Sequence, residues 1–311
     1  MISFIRNENM KIYKRKRTWV MIAIVLLYVV LQIVNLKTAG SDAVNDNWRV
    51  QLEQKNVQLR QEASKPDALN IEIKQAEKHI VLNQYYLDKD IPPSTNAWTF
   101  AVSLVRNIIF AVSLISIIIA GEIVAAEFVS GTIKLLLTRS ASRTKIYISK
   151  YVAAILFGLM LSVAGVLTSI FLGGFIFGFD GLADSYFYVK NQAVEEVPML
   201  QALLVGYVLN IPFLLIVITL AFMISAAFRS TTFSIVISLL VSLTGFIIAI
   251  AMDGWSWTKY FVFSHTDLTP YIYGNPSVDG VTLGFSLVFI GIHLAVMYLV
   301  SYPIFVKRDV V

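Results

Sequence analysis

Side chains able to do covalent or metal chemistry are scarce in this 311-residue chain: three histidines, His79, His265 and His293, and no cysteine. Without cysteine there is no disulfide framework, no thiol nucleophile and no thiolate metal site. The histidines are far apart, and none pairs with another at metal-ligand spacing. His265 and Asp267 could share a proton, but no nucleophile or third group accompanies them. The phosphate-cradling pattern G-x-x-x-x-G-K-[ST] is missing from the sequence. An intramembrane enzyme would need His, Asp or Glu gathered at one depth, and no such cluster is seen. No catalytic residue, metal ligand or bound cofactor is expected.

What remains is charge placed where charge is costly. EFVSGTIKLLLTRSASRTKIYISK, residues 127–150, carries five Lys or Arg between two long apolar stretches. Arg106 lies within the stretch FAVSLVRNIIFAVSL, with Asn107 beside it. A charge at such depth costs about 2.5–3.5 kcal/mol on insertion scales. Arg106 and Asn107 are thus candidates for a permeation path or a contact with a second protomer; the alternative is snorkelling or a structural hydrogen bond. Asn210-Ile211-Pro212 interrupts a further apolar stretch, as a hinge or as ordinary packing, and adds Asn210 to the same group.

The elements that position these groups follow from composition. The chain is 57% hydrophobic and 14% charged, too apolar for a soluble domain. A helix needs roughly 20 apolar residues to cross a bilayer, and six stretches qualify: 19–36, 99–121, 151–178, 200–226, 232–252 and 282–305. The fold class expected is an all-α membrane protein. Short loops rich in Lys and Arg stay cytoplasmic. Residues 1–18 hold Arg6, Lys11, Lys14, Arg15, Lys16 and Arg17, and 122–150 holds five more basic residues. Both termini, including the tail 306–311, are therefore expected in the cytoplasm.

Segment 37–98 then lies outside. Val44, Trp48, Leu52, Leu59 and Ala63 recur at helical spacing, as do Leu69, Ile73, Ala76, Ile80 and Leu87. Between them Lys65-Pro66-Asp67 breaks the pattern, with Asp67 placed to cap the second arm, so a helical hairpin is expected. A spacer is the alternative. The second outer segment, 179–199, reads as a loop. The third, 253–281, is aromatic: Trp255, Trp257, Tyr260, Phe261 and Phe263 surround Lys259. By their residue types they read as an interfacial belt.

Segment 122–150 reads as a short amphipathic helix, a turn, and a second helix running into the third span. Its order, E-x3-G-T-x-K-x-L-L then S-R-x-x-I-x-x-x-K, resembles the cytoplasmic loop of exporter-type ABC permeases, the type-2 ABC permease family. The matching residues are Glu127, Gly131, Thr132, Lys134, Leu136, Leu137, Ser142, Arg143, Ile146 and Lys150. Ser140 stands where that family often has Pro, which affects the local turn. The layout is similar as well: six spans, a basic N-terminal elbow helix along the membrane (here Lys11, Lys14, Arg15, Lys16 and Arg17), and an outer insertion between spans one and two.

The resemblance implies a coupling helix after span two that docks on a separate ATP-binding subunit. Two ATPase copies would carry ATP and magnesium, and a second permease subunit, the same or a related chain, would complete the assembly. It also implies residence in a bacterial cytoplasmic membrane and short re-entrant helices between spans five and six that close the outer side, which would make Trp255, Trp257, Tyr260, Phe261 and Phe263 an extracellular gate. The substrate implied is amphipathic or hydrophobic, such as a peptide antibiotic or an envelope lipid, with antimicrobial peptide resistance as one setting. Membrane lipid is the other expected partner; nucleic acid is not. The alternative is a non-transporting scaffold or sensor whose outer hairpin binds a ligand.

Overall fold

The structure is a computed structural model and describes residues 1–38, 47–132, 142–228, 230–276 and 280–307. In chain order, helices α1 (Ile2–Tyr13) and α2 (Lys16–Thr38) precede the pair α3 (Trp48–Ala63) and α4 (Asn70–Lys89). Then come α5 (Ala97–Glu122), α6 (Ala125–Val129) and α7 (Arg143–Phe177). Strands β1 (Ser185–Lys190) and β2 (Ala193–Pro198) lead into α8 (Met199–Ala227) and α9 (Thr231–Ala251). Two 3₁₀ turns (Ser256–Tyr260, Val262–His265), a short α10 (Thr269–Tyr273) and α11 (Leu283–Val306) follow. Six helices are long and apolar enough to cross a membrane: α2, α5 (continuing through α6), α7, α8, α9 and α11.

The bundle is built around α5, which packs most extensively on α8 and α7. Its apolar residues are buried nearly all round, including Ile108, Ile109, Val112 and Ile117. By contrast, α2, α9 and α11 leave broad apolar faces outward, as helices bathed in lipid do. Two glycines of α7 allow close packing: a Cβ at Gly158 would lie 2.7 Å from Ile218, and one at Gly165 2.7 Å from Ile108. At Asn210-Ile211-Pro212, α8 runs on as one helix with Pro212 inside it. Asn210 Nδ2 donates to the Gly206 carbonyl (2.8 Å) and to Thr269 Oγ1 (3.0 Å), so that side chain is occupied in holding helix and loop together.

The all-α expectation needs one correction. Segment 185–198 is an antiparallel hairpin, with Lys190 opposite Ala193 across a two-residue turn. Asn191 and Gln192 both take positive φ (48° and 61°), the geometry whose twist suits a tight hairpin. The run Tyr186, Phe187, Tyr188, Val189 supplies residues that favour strands. Preceding it, α3 and α4 lie antiparallel: Arg49 at the start of α3 meets Asp90 at the end of α4, and Asn83 donates to Asn56 at 2.8 Å between them. The second arm starts at Asn70 rather than after an Asp67 cap; the Glu72 carboxylate accepts from Leu69 N at 3.1 Å.

Candidate functional site

One end of the bundle gathers α1, α6, the start of α7 and the end of α11. Lys150, on α7, has a side chain only 1% exposed. An ammonium so deeply buried requires anionic partners. It has two: Nζ donates to Glu8 Oε2 at 2.8 Å and to Glu127 Oε1 at 3.1 Å. Lys11 meets the same two carboxylates, Glu8 Oε1 at 2.9 Å and Glu127 Oε1 at 3.0 Å. Two cations and two anions thus form a closed ring joining three helices, beside a cleft of about 220 Å³ also lined by Arg15, Ser130 and Thr132. Burial alone would lower the Lys11 pKa, but the Glu8 and Glu127 carboxylates outweigh it and hold that ammonium above its ordinary value.

A second ionic cluster lies next to the ring. Glu122 closes α5, and its carboxylate receives Arg15 (3.0 Å) and Arg17 from the junction of α1 and α2. Lys14 and Lys16 point outward. The N-terminal helix is therefore fastened at two places to the chain that leaves span two.

The pattern residues within the described segments take distinct parts. Thr132 donates to the Glu127 carboxylate. Gly131 has φ +70°, and a Cβ there would meet nothing within 4 Å. Glycine is favoured at that position by backbone conformation rather than by crowding. Ser142 caps α7, its oxygen accepting from Lys145 N at 3.4 Å. Arg143 donates to the Val306 carbonyl at 2.9 Å, tying the start of α7 to the end of α11. Lys134, Leu136 and Leu137 fall outside the described residues, as do Val44 of the hairpin pattern and tail residues 308–311.

Sequence reasoning passed over Glu8 and Glu122, which the structure puts at the centre of both clusters. A signal for Glu8 existed: it is the single acid before Asp42, set among six basic residues and three positions before Lys11.

The opposite end of the bundle holds the remaining candidates. Arg106 reaches Asp267 at 3.4 Å, with about half of its side chain exposed. Asn107 is exposed beside it, while Asn210 is buried in the contacts given above. Asp267 is oriented by Thr269 N, which donates to its Oδ1 at 2.9 Å. Of the aromatic group, Trp255, Trp257 and Tyr260 are exposed. Phe261 is half-buried, and the buried Phe263 ring lies on Gly245, where a Cβ would be 2.4 Å away. His265 is fully buried in a relay: Tyr271 and His265 Nδ1 share Ser286 Oγ (2.7 and 2.8 Å), and Nε2 meets the Lys259 carbonyl at 3.0 Å. Burial lowers its pKa, so the ring stays neutral, with Nε2 as the donor. No cluster of three potential metal ligands occurs among the described residues.

Residues 70–311 match the family described as "Protein of unknown function (DUF2705)". The chain is similar to "Uncharacterized protein YhcI" of Bacillus subtilis, at 35% identity over all of this chain and 99% of that one. It is also similar to "Uncharacterized membrane protein YdbK" of the same organism, at 28% identity over 63% of this chain and 76% of that one. No solved structure matches. Six apolar helices and a membrane-protein relative make the chain a multi-pass membrane protein.

Proposed function

The chain belongs to the family described as Protein of unknown function (DUF2705), and we propose that it is the membrane-spanning permease subunit of an ATP-driven ABC exporter. The observation that carries this reading is the buried ring. Lys150, 1% exposed, is bonded to Glu127, which begins the pattern 23 residues earlier, and to Glu8 of the N-terminal helix. A loop that only linked two spans would gain nothing from a buried four-charge ring, which is expensive to desolvate. A segment that passes force from a partner into a span needs such a joint, because the force must move the helices as one body. Gly131 turns the chain at the end of α6, and Arg143 carries the connection on to α11.

In this reading the end bearing α1 and α6 faces the cytoplasm, and α1 is the elbow along the inner surface. The α3–α4 pair, the β-hairpin and the loop 253–276 lie outside. A separate ATP-binding subunit docks beside α6, and two permease and two ATPase subunits complete the assembly. The cargo is amphipathic or hydrophobic, in keeping with the few charges on the spans.

Purification of a tagged chain from its native membrane in mild detergent, followed by mass spectrometry, tests this. The expected result is a stoichiometric partner of about 25–35 kDa carrying the phosphate-binding loop. If the chain emerges alone under conditions that keep a control ABC complex whole, the reading fails, and a scaffold or sensor takes its place.

A further inference from the structure

The outer hairpin does not hang free from its two tethers. Asp253, just past the end of α9, is 4% exposed, and its Oδ2 receives Lys74 Nζ of α4 at 3.0 Å. Its Oδ1 is buried with no hydrogen-bond partner among the described residues. Asn70, also on α4, donates to the Asp253 carbonyl at 3.2 Å. At Gly254, with φ +85°, a Cβ would approach the Asn70 side-chain amide to 3.1 Å, so that side chain lies close over the Gly254 backbone. One turn further along α4, Lys78 reaches over the far side of the same loop: a Cβ on Gly274 would lie 3.1 Å from its Nζ.

The β-hairpin adds a third anchor. Tyr85 and Tyr86 of α4 pack on Phe187, with ring centroids 5.4 and 5.9 Å apart. Tyr188 packs on Tyr273 at 5.1 Å, and Asn191 N donates to Asn275 Oδ1 at 3.1 Å. The loop between Asp253 and Asn275 is therefore gripped at both ends by α4 and the β-hairpin. Under that grip lie Phe263, His265, Thr266 and Leu268, all buried.

We propose that the outer hairpin is a strap that holds the 253–276 loop closed over the spans, with the Lys74–Asp253 pair as its fastening. Asp253 decides the energetics. Its carboxylate is already out of water with one oxygen unpaired among the described residues, so losing Lys74 leaves a buried charge that Lys78 offsets only from beyond ion-pair distance. The closed loop then becomes the costly state, and Asp253 gains by moving to water. Opening the loop consequently requires α4 to lift at its Asn70 end, which links the hairpin to spans five and six. The proposal rests on the orientation given above but not on any partner subunit.

The absence of native cysteine allows a direct test in the full-length chain. Thr266→Cys, a buried reporter, and Glu196→Cys, an exposed one on β2, are introduced singly and treated in intact cells with a membrane-impermeant thiol reagent. With the fastening intact, Thr266→Cys should label slowly. Adding Lys74→Met should raise its rate at least tenfold and leave Glu196→Cys unchanged. Lys74→Met combined with Asp253→Asn should return toward the slow rate, because the unpaired charge is gone. Hydrogen exchange of residues 256–276 in purified protein gives a second reading that does not depend on orientation, with faster exchange expected in Lys74→Met. Equal exchange in wild type and Lys74→Met would overturn the strap. Faster exchange without labelling from outside would instead overturn the orientation.

Discussion

Lys150→Met removes the cation at the centre of the inner ring and keeps much of its apolar volume. Glu8 and Glu127, with side chains 7% and 14% exposed, each lose one of two cations. A hydrogen bond to a charged group is worth about 1.5–3 kcal/mol, and of the two lost only the one to Glu8 ties α1 down, because Glu127 lies on α6. Lys11 still reaches both carboxylates, but it is 36% exposed and its contribution is screened by water. The low end of the range applies, about 1.5 kcal/mol, or roughly 10-fold in the equilibrium that releases α1. The junction Lys14-Arg15-Lys16-Arg17 offers trypsin four sites once α1 leaves. Release of an N-terminal epitope from detergent-solubilised protein reports that opening when closing is fast relative to cleavage. Cleavage in Lys150→Met should rise by about 10-fold. Adding Glu8→Gln and Glu127→Gln should recover most of the protection, because an all-neutral site carries no unpaired charge. Cleavage within threefold of wild type, or a triple variant cut as fast as the single one, would refute this account of the ring.

Two further outcomes follow from the same geometry. Gly131→Ala forces a left-handed backbone on an alanine, at about 1–2 kcal/mol, with no steric clash; it and Glu127→Gln should insert normally yet lose transport while ATP hydrolysis in the reconstituted complex continues. Full transport by both at normal expression would remove the coupling role from this segment. At the other end, burial holds the His265 pKa below its ordinary 6.5. The folded protein then takes up that proton less readily than the unfolded chain, so His265 contributes stability above about pH 6.5 that is lost as pH falls through the lowered value. The melting temperature in detergent should drop more between pH 7.5 and pH 5 for wild type than for His265→Gln; equal drops would show that His265 titrates alike in the folded and unfolded states, with no lowering of its pKa by burial.

The sequence by itself determined the spans, because length and apolarity are local properties that a bilayer reads directly. It also determined the two helical arms, through their spacing. The β-hairpin was less legible. Its signal rests on positive φ at Asn191 and Gln192, a turn that neither residue announces as strongly as Asn-Gly would. Partnership was decided only in three dimensions. Nothing in the order of residues pairs Lys150 with Glu8, 142 positions away, or Lys74 with Asp253, 179 positions away. Any acid can satisfy a buried ammonium, and the choice among them is made by which helices pack together. Local patterns arise from the chain's own periodicity, whereas ion pairs depend on distance in space, which packing alone sets.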